Sequence, residues 1–202
     1  QYIIAKECKG ECFLVVYADD FIAGFQYPWE AERFYEQLRS RMVKFGLELE
    51  ENKSRIVESG RYLASLKAKR GESTRLGTFD FLGFTFYCGR TTKGNPWIMP
   101  KTSSKKFRQK VKEIKIWLYN NKEQKLGKLM YMLNVKLVGH YRYYGISFNS
   151  RMISNYKQQV RELLYKVLNR RSEKKSYTRE GFIEMMKYYK LVNPKIYYSL
   201  FC

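Results

Sequence analysis

Histidine and cysteine are scarce in this chain. Its 202 residues include one histidine, His140, and four cysteines, at 8, 12, 88 and 202. Cys8 and Cys12 flank Lys9-Gly10-Glu11 with the spacing of half a zinc site. No second Cys/His pair with ligand spacing follows, which argues against a zinc module. Four scattered cysteines make no disulfide framework, so they are expected to be reduced thiols in an intracellular compartment. No apolar run approaches the roughly 18 residues of a membrane-spanning helix, and none reads as a signal peptide. Proline occurs only at 28, 96, 100 and 194. The chain has neither an internal repeat nor a low-complexity tract.

Acid is the residue class missing most unevenly. Residues 1–100 hold 15 Lys+Arg and 13 Asp+Glu, whereas residues 101–202 hold 24 and 6. The first half is almost neutral and the second is a polycation, and together they give a net charge of +20. Aromatics are abundant, with 18 tyrosines and 13 phenylalanines. Clustered positive charge with interleaved tyrosine points to a phosphate backbone as partner. A membrane surface fits less well, because no basic amphipathic helix with an apolar anchor stands alone.

Hydropathy patterning divides the chain in the same place. Residues 2–8 and 12–17 read as paired strands joined at Lys9-Gly10. Pro28 opens a helix whose stripe is Ala31, Phe34, Tyr35, Leu38, Met42 and Phe45, and Gly46 stops it. Leu47 and Leu49 alternate with Glu48 and Glu50 as a half-buried strand, and Ile56-Val57 marks a shorter one. Residues 60–78 read as a loop. Strand character returns at residues 79–86 around Gly83, and Asn95-Pro96-Trp97 turns into a further strand punctuated by Pro100. Beyond Ser103, a capping candidate, the pattern is helical. Expected helices carry Phe107, Val111, Ile114, Trp117 and Leu118, then span about Lys125 to Tyr144, Asn149 to Leu168 and Thr178 to Tyr189. The expected fold class is α+β, an antiparallel sheet with a helix (1–100) followed by an all-α bundle (101–202).

One tetrapeptide carries most of the chemical information. Tyr17-Ala18-Asp19-Asp20 lies between the apolar runs Phe13-Leu14-Val15-Val16 and Phe21-Ile22-Ala23-Gly24-Phe25. The pattern predicts a β-hairpin with two adjacent carboxylates at its tip. Paired carboxylates in an apolar hairpin are costly unless a cation offsets them, and Mg²⁺ takes hard oxygen ligands of this kind. An ordinary polar turn is the alternative reading of Asp19-Asp20.

Together with Phe79-Asp80-Phe81-Leu82-Gly83-Phe84 and Gly139-His140-Tyr141-Arg142-Tyr143-Tyr144-Gly145, these residues resemble the reverse transcriptase/maturase proteins of group II introns. Order and spacing agree along nearly the whole chain, with His140 where the family more often has Trp. The resemblance implies the C-terminal part of a reverse-transcriptase palm (1–100) and a thumb/maturase helical domain (101–202). It implies an RNA-directed DNA polymerase with a two-metal Mg²⁺ site. Intron RNA template, DNA primer or target and dNTPs would be its partners, in bacterial cytoplasm near the nucleoid or in an organelle. Asp19 and Asp20 would be the catalytic metal ligands, and Lys53 would assist the departing pyrophosphate. Tyr17 would lie near the primer terminus, and Phe81, Leu82, Gly83 and Phe84 would grip the primer. Lys105, Lys106, Arg108, Lys110, Lys112, Arg142, Arg170, Arg171, Lys174 and Lys175 would contact nucleic acid, with Tyr141, Tyr143 and Tyr144 available to stack.

Several of these residues have plainer readings. Lys53 lies in a polar stretch, at least one of Phe81 and Phe84 belongs in a core, and helical spacing favours a core role for Tyr141 and Tyr144. His140 is expected to be structural. The chain begins at Gln1, inside apparent strand sequence, and lacks the upstream palm and fingers, so alone it is expected to be inactive as a polymerase. A non-catalytic RNA-binding maturase or splicing factor is the alternative function, and a retron or diversity-generating lineage is a third.

Overall fold

The computed structural model describes residues 7–50, 54–73, 76–170 and 177–200. The chain forms two compact units, Gln1–Ser59 and Gly60–Cys202. The units part forty-one residues ahead of the division expected at residue 100, because strands at 79–102 belong with the helices that follow them.

In the first unit, β1 (Cys12–Tyr17) and β2 (Asp20–Phe25) form an antiparallel hairpin whose last pair is Tyr17 with Asp20. Helix α1 (Pro28–Lys44) begins on Pro28, where the missing N–H costs nothing, and ends before Gly46, whose φ is +68°. One face of the hairpin meets α1 through Phe25 and Phe34, with ring centroids 5.2 Å apart. Glu30, in the first turn of α1, is buried, and its Oε1 accepts from the backbone amides of Lys9 (2.6 Å) and Gly10 (3.2 Å). That carboxylate fastens the segment leading into β1.

The amide of Glu11 donates to the side chain of Gln26, and β1 pairs with β2. The strand expected at 2–8 falls largely outside the described residues. Two expected strands are corrected here. Residues 47–50 and Ile56-Val57 form no strand, and Leu47 and Ile56 are exposed. Alternation of apolar and polar residues makes a strand only beside a neighbour that pairs with it, and no described segment does so here.

The second unit starts with a further correction. Residues 61–69, expected as loop, form helix α2 (Arg61–Lys69). Gly60 (φ +123°) caps its start and Gly71 (φ +69°) follows its end, so the glycines that suggested a loop bracket a helix of good helix formers. Ala64 is buried, and Arg61 lies over the Trp97 ring at 5.3 Å. Strands β3 (Phe79–Phe81), β4 (Phe84–Arg90) and β5 (Pro96–Thr102) form an antiparallel sheet in sequence order.

Four helices follow as expected: α3 (Ser104–Asn120), α4 (Leu126–Tyr144), α5 (Ser150–Leu168) and α6 (Arg179–Tyr188). Their apolar stripes close one core. Leu129, Leu133, Leu137 and Tyr141 of α4 face Ile153, Tyr156, Val160 and Leu164 of α5, with Ile114 and Leu118 from α3 and Phe182 from α6. Each such side chain removed from water is worth about 1.5–3 kcal/mol.

One polar residue is fully enclosed where sheet and helices meet. Asn149 precedes α5, its Oδ1 accepts from the Thr102 amide (2.8 Å), and its Nδ2 donates to Thr102 Oγ1 (2.9 Å) and the Tyr144 carbonyl (2.8 Å). Next to it, Gly145 accepts from the amides of Tyr197 and Tyr198, and Ser147 donates to the Tyr198 carbonyl. A Cβ on Gly145 would stand 2.3 Å from the Tyr141 oxygen and 2.4 Å from the Lys195 oxygen, so no larger residue fits. Asn149→Ala leaves the Thr102 amide and the Tyr144 carbonyl without these partners. It should lower unfolding free energy by about 2–4 kcal/mol in urea titration, whereas Asn155→Ala on the exposed side of α5 should cost under about 1 kcal/mol.

Candidate nucleic-acid interface

The acidic hairpin turns tightly. Ala18 and Asp19 form the bend, with Ala18 at φ +53°, and Asp20 opens β2. Both aspartates are exposed. Strand pairing puts Asp20 on the face that also carries Phe13, Val15 and Tyr17, opposite the Phe25 face that meets α1. Phe13, Val15 and Tyr17 are exposed as well. The carboxylates are oxygen donors suited in kind to Mg²⁺, but they fall short in number. No group of three metal-binding side chains exists among the described residues. Cys8, Cys12 and Cys88 are free thiols, and burial raises the thiol pKa of Cys8 and Cys88. Lys53, Arg171, Lys174 and Lys175 lie outside the described residues.

The second unit gathers a different set of residues around one turn. Leu82 (φ +49°) and Gly83 (φ +79°) link β3 to β4 as a two-residue hairpin, with Phe81 paired to Phe84. Positive φ at both central residues matches the twist of the strands, but it is strained for leucine. The turn is held from outside. Tyr143 of α4 donates its hydroxyl to the Leu82 carbonyl (2.9 Å), and the Ser103 amide donates to the Gly83 carbonyl (2.9 Å). Where a Gly83 Cβ would stand, the Tyr144 hydroxyl is 3.2 Å away and the Lys106 stem 3.5 Å away. Phe84 stacks on Tyr143 at 6.0 Å and tilts against Tyr144 at 5.3 Å.

Leu82, Gly83, Phe84, Lys106 and Tyr143 are therefore neighbours, while Phe81 is half-buried on β3. Phe84 packs against the helical core, and Tyr141 and Tyr144 are buried in it, which leaves Tyr143 as the exposed ring of the three.

Helix α3 starts at this turn. Ser103 caps it by accepting from the Lys106 amide (3.3 Å). No acid occupies its first turn, which instead carries Lys105 and Lys106. Cations at the positive end of a helix dipole cost about 0.3–1 kcal/mol each, so both lysines stand against the dipole. Farther along, Lys105, Arg108, Lys112 and Lys115 recur at three- and four-residue intervals and are all exposed. They form one basic ridge about 15 Å long. Lys110, by contrast, pairs with Glu113 at 2.8 Å. At the far end of the helix, Arg170 donates to the Tyr119 hydroxyl (2.7 Å). Arg142 is exposed on α4. Sequence reasoning missed Lys115 and Tyr119, although the same spacing rule finds both.

His140 is a core residue. It is 9% exposed and stacks on Tyr156 with centroids 3.7 Å apart. Burial, with the Lys110 ammonium adding to it, lowers its pKa to about 4. Burial likewise raises Tyr141, Tyr144 and Tyr156. His140 is thus neutral in the fold but titrates near 6.5 once unfolded, where it binds the extra proton. The stability this contributes is fully present above about pH 6.5 and is lost as pH falls toward about 4. Unfolding free energy should drop by about 2 kcal/mol between about pH 7 and pH 5, and His140→Phe should flatten that part of the curve.

No helix among the described residues is long and apolar enough to cross a membrane. No curated protein and no solved structure matches the chain significantly. Residues 104–189, from the start of α3 to the residue after α6, match the family model of the group II intron maturase-specific domain, which supports a group II intron maturase, linked to intron RNA binding and splicing.

Proposed function

We propose that the helical unit docks on group II intron RNA through the α3 ridge and the Leu82–Gly83 turn, and that the chain works as the palm-to-thumb part of an RNA-directed DNA polymerase. The observation that carries the RNA reading is the placement of four cations on one face of α3, with two lysines against the helix dipole, inside the matched segment. Phosphates would offset both costs. Lys105, Lys106, Arg108 and Lys112 would bind them, with Lys115 extending the ridge. Arg142, Arg170, Arg171, Lys174 and Lys175 would add charge from α4 and from the region beyond α5. The Leu82–Gly83 turn would meet a primer or RNA backbone, with Phe84 and Tyr143 setting its position and Phe81 supporting it.

The polymerase half of the reading rests on the acidic hairpin. Asp19 and Asp20 would contribute oxygen ligands to Mg²⁺ ions that activate a primer hydroxyl and stabilise pyrophosphate. Further ligands, and the fingers that hold a dNTP, would come from palm elements beyond those described. Tyr17 would lie beside the primer end and Lys53 near the leaving group. A non-catalytic maturase is the second reading. It is carried by the family match over residues 104–189, which bears on intron RNA and leaves the acidic hairpin untested.

Two measurements bear on these readings. Affinity for intron RNA should fall steeply with salt, and replacing Lys105, Arg108, Lys112 and Lys115 with Gln should reduce the log–log salt slope by about 3. An unchanged slope would remove the ridge as the docking surface. In a chain carrying a complete palm, Asp19→Asn should abolish primer extension and leave RNA binding intact. Primer extension at the wild-type rate would rule out the polymerase role of the hairpin.

A further inference from the structure

Cys8 and Cys12 take no part in the surfaces described above, yet the fold brings them together. Cys8 precedes the bend that leads into β1, and Cys12 is the first residue of that strand. Pairing of Cys12 with Phe25 puts both on the hairpin face that meets α1. Cys8 lines a small pocket on that same side with Phe25, Trp29 and Glu30. The two cysteine side chains are hydrogen-bonded to each other. Both are half-buried free thiols.

The three residues between them are held from outside. Glu30 Oε1 accepts from the amides of Lys9 and Gly10, and the Gln26 side chain accepts from the Glu11 amide. A Cβ on Gly10 would stand 2.7 Å from Gln26 Cβ and 2.8 Å from the Tyr27 ring, so the bend is seated closely on residues 26 and 27. The meeting of the two sulfurs therefore does not depend on a bond between them. Side chains in such contact come within bonding reach by rotation, and the chain ordering that a new bond would otherwise have to impose is already in place. Burial, followed by the contact with Cys12 and the Glu30 carboxylate, raises the Cys8 thiol pKa. Its thiolate is thus scarce, which suits a slow exchanger rather than a catalytic dithiol.

We infer that Cys8 and Cys12 form a reversible disulfide by exchange with a small-molecule disulfide, oxidised glutathione being the type, and so close a clasp over the segment that Glu30 holds. Cys8, on the pocket, gives its proton to solvent, and its sulfur attacks one sulfur of the oxidant. The S–S bond of the oxidant breaks, and the departing thiolate takes up a proton. The Cys12 sulfur, deprotonated in turn, attacks Cys8 in the mixed disulfide and expels the second thiolate, which is also protonated. Two protein thiols are oxidised and one glutathione disulfide is reduced to two thiols. This site is independent of the RNA and polymerase readings above.

The test equilibrates the wild-type chain with mixtures of reduced and oxidised glutathione, in native buffer and in concentrated urea. Free thiols are then blocked with N-ethylmaleimide, and the tryptic peptides are weighed. Trypsin cuts after Lys6, Lys9 and Arg33, so peptides 7–9 and 10–33 part unless a bridge joins them. In oxidising mixtures they should appear as one linked species that reduction separates. The fold holds the sulfurs together, so the ratio of squared thiol to disulfide concentration at half-oxidation should be at least about tenfold higher for the native chain than in urea. Cys12→Ser should stop at the mixed disulfide of Cys8 with glutathione. A native ratio equal to or below the urea value overturns the inference, as does a bridge from either cysteine to Cys88 or Cys202 in place of the linked pair.

Discussion

The geometry of the helical unit depends on one buried amide. Asn149 offers an acceptor and two donors at a point where β5, α4 and α5 all end or begin, and it uses them on Thr102 and Tyr144. Thr102 is the last residue of β5, and Ser103, which caps α3, follows it directly. The Ser103 amide in turn holds the Gly83 carbonyl. Position therefore passes from Asn149 to the α3 cap and on to the β3–β4 turn. A fully enclosed polar network of this kind rigidifies only if every member is satisfied, and this one is.

The cost of that arrangement is borne at the surface. Leucine is held at positive φ in the turn, two lysines stand at the wrong end of a helix dipole, and four cations share one face of α3. Each is mildly unfavourable for the isolated unit. The two lysines and the cationic face are the kind of cost that a bound polyanion would offset, whereas the Leu82 backbone is held by the Tyr143 hydroxyl on its carbonyl. The core beneath is apolar and its one histidine is neutral, so the charge is confined to the outside.

Sequence periodicity made α1 and α3 to α6 legible because each carries an apolar stripe, with Pro28 and Gly46 marking the ends of α1 and Ser103 the start of α3. The acidic hairpin was legible for a similar reason, since its apolar runs are short and tightly spaced. Helix α2 was not, because Gly60 and Gly71 sit close enough together to look like loop. The segment at 47–50 was misread because alternation carries no information about whether a neighbouring strand exists. In the interface, Lys105, Arg108 and Lys112 could be named from charge alone. The links between Tyr143 and Leu82, sixty-one positions apart, and between Asn149 and Thr102, forty-seven apart, have no local signature and need the tertiary fold.

Gly145 has a consequence for how the protein is made. Its carbonyl receives the amides of Tyr197 and Tyr198, and its missing side chain leaves room for Lys195. The junction between α4 and α5 is therefore finished by residues some fifty positions downstream. On the ribosome, α3, α4 and α5 are all synthesised before that strap, so the basic helices spend an interval as an incompletely locked bundle. Contacts of such sequence separation form late, and the final rigidity of the unit is gained only when the last stretch has left the exit tunnel.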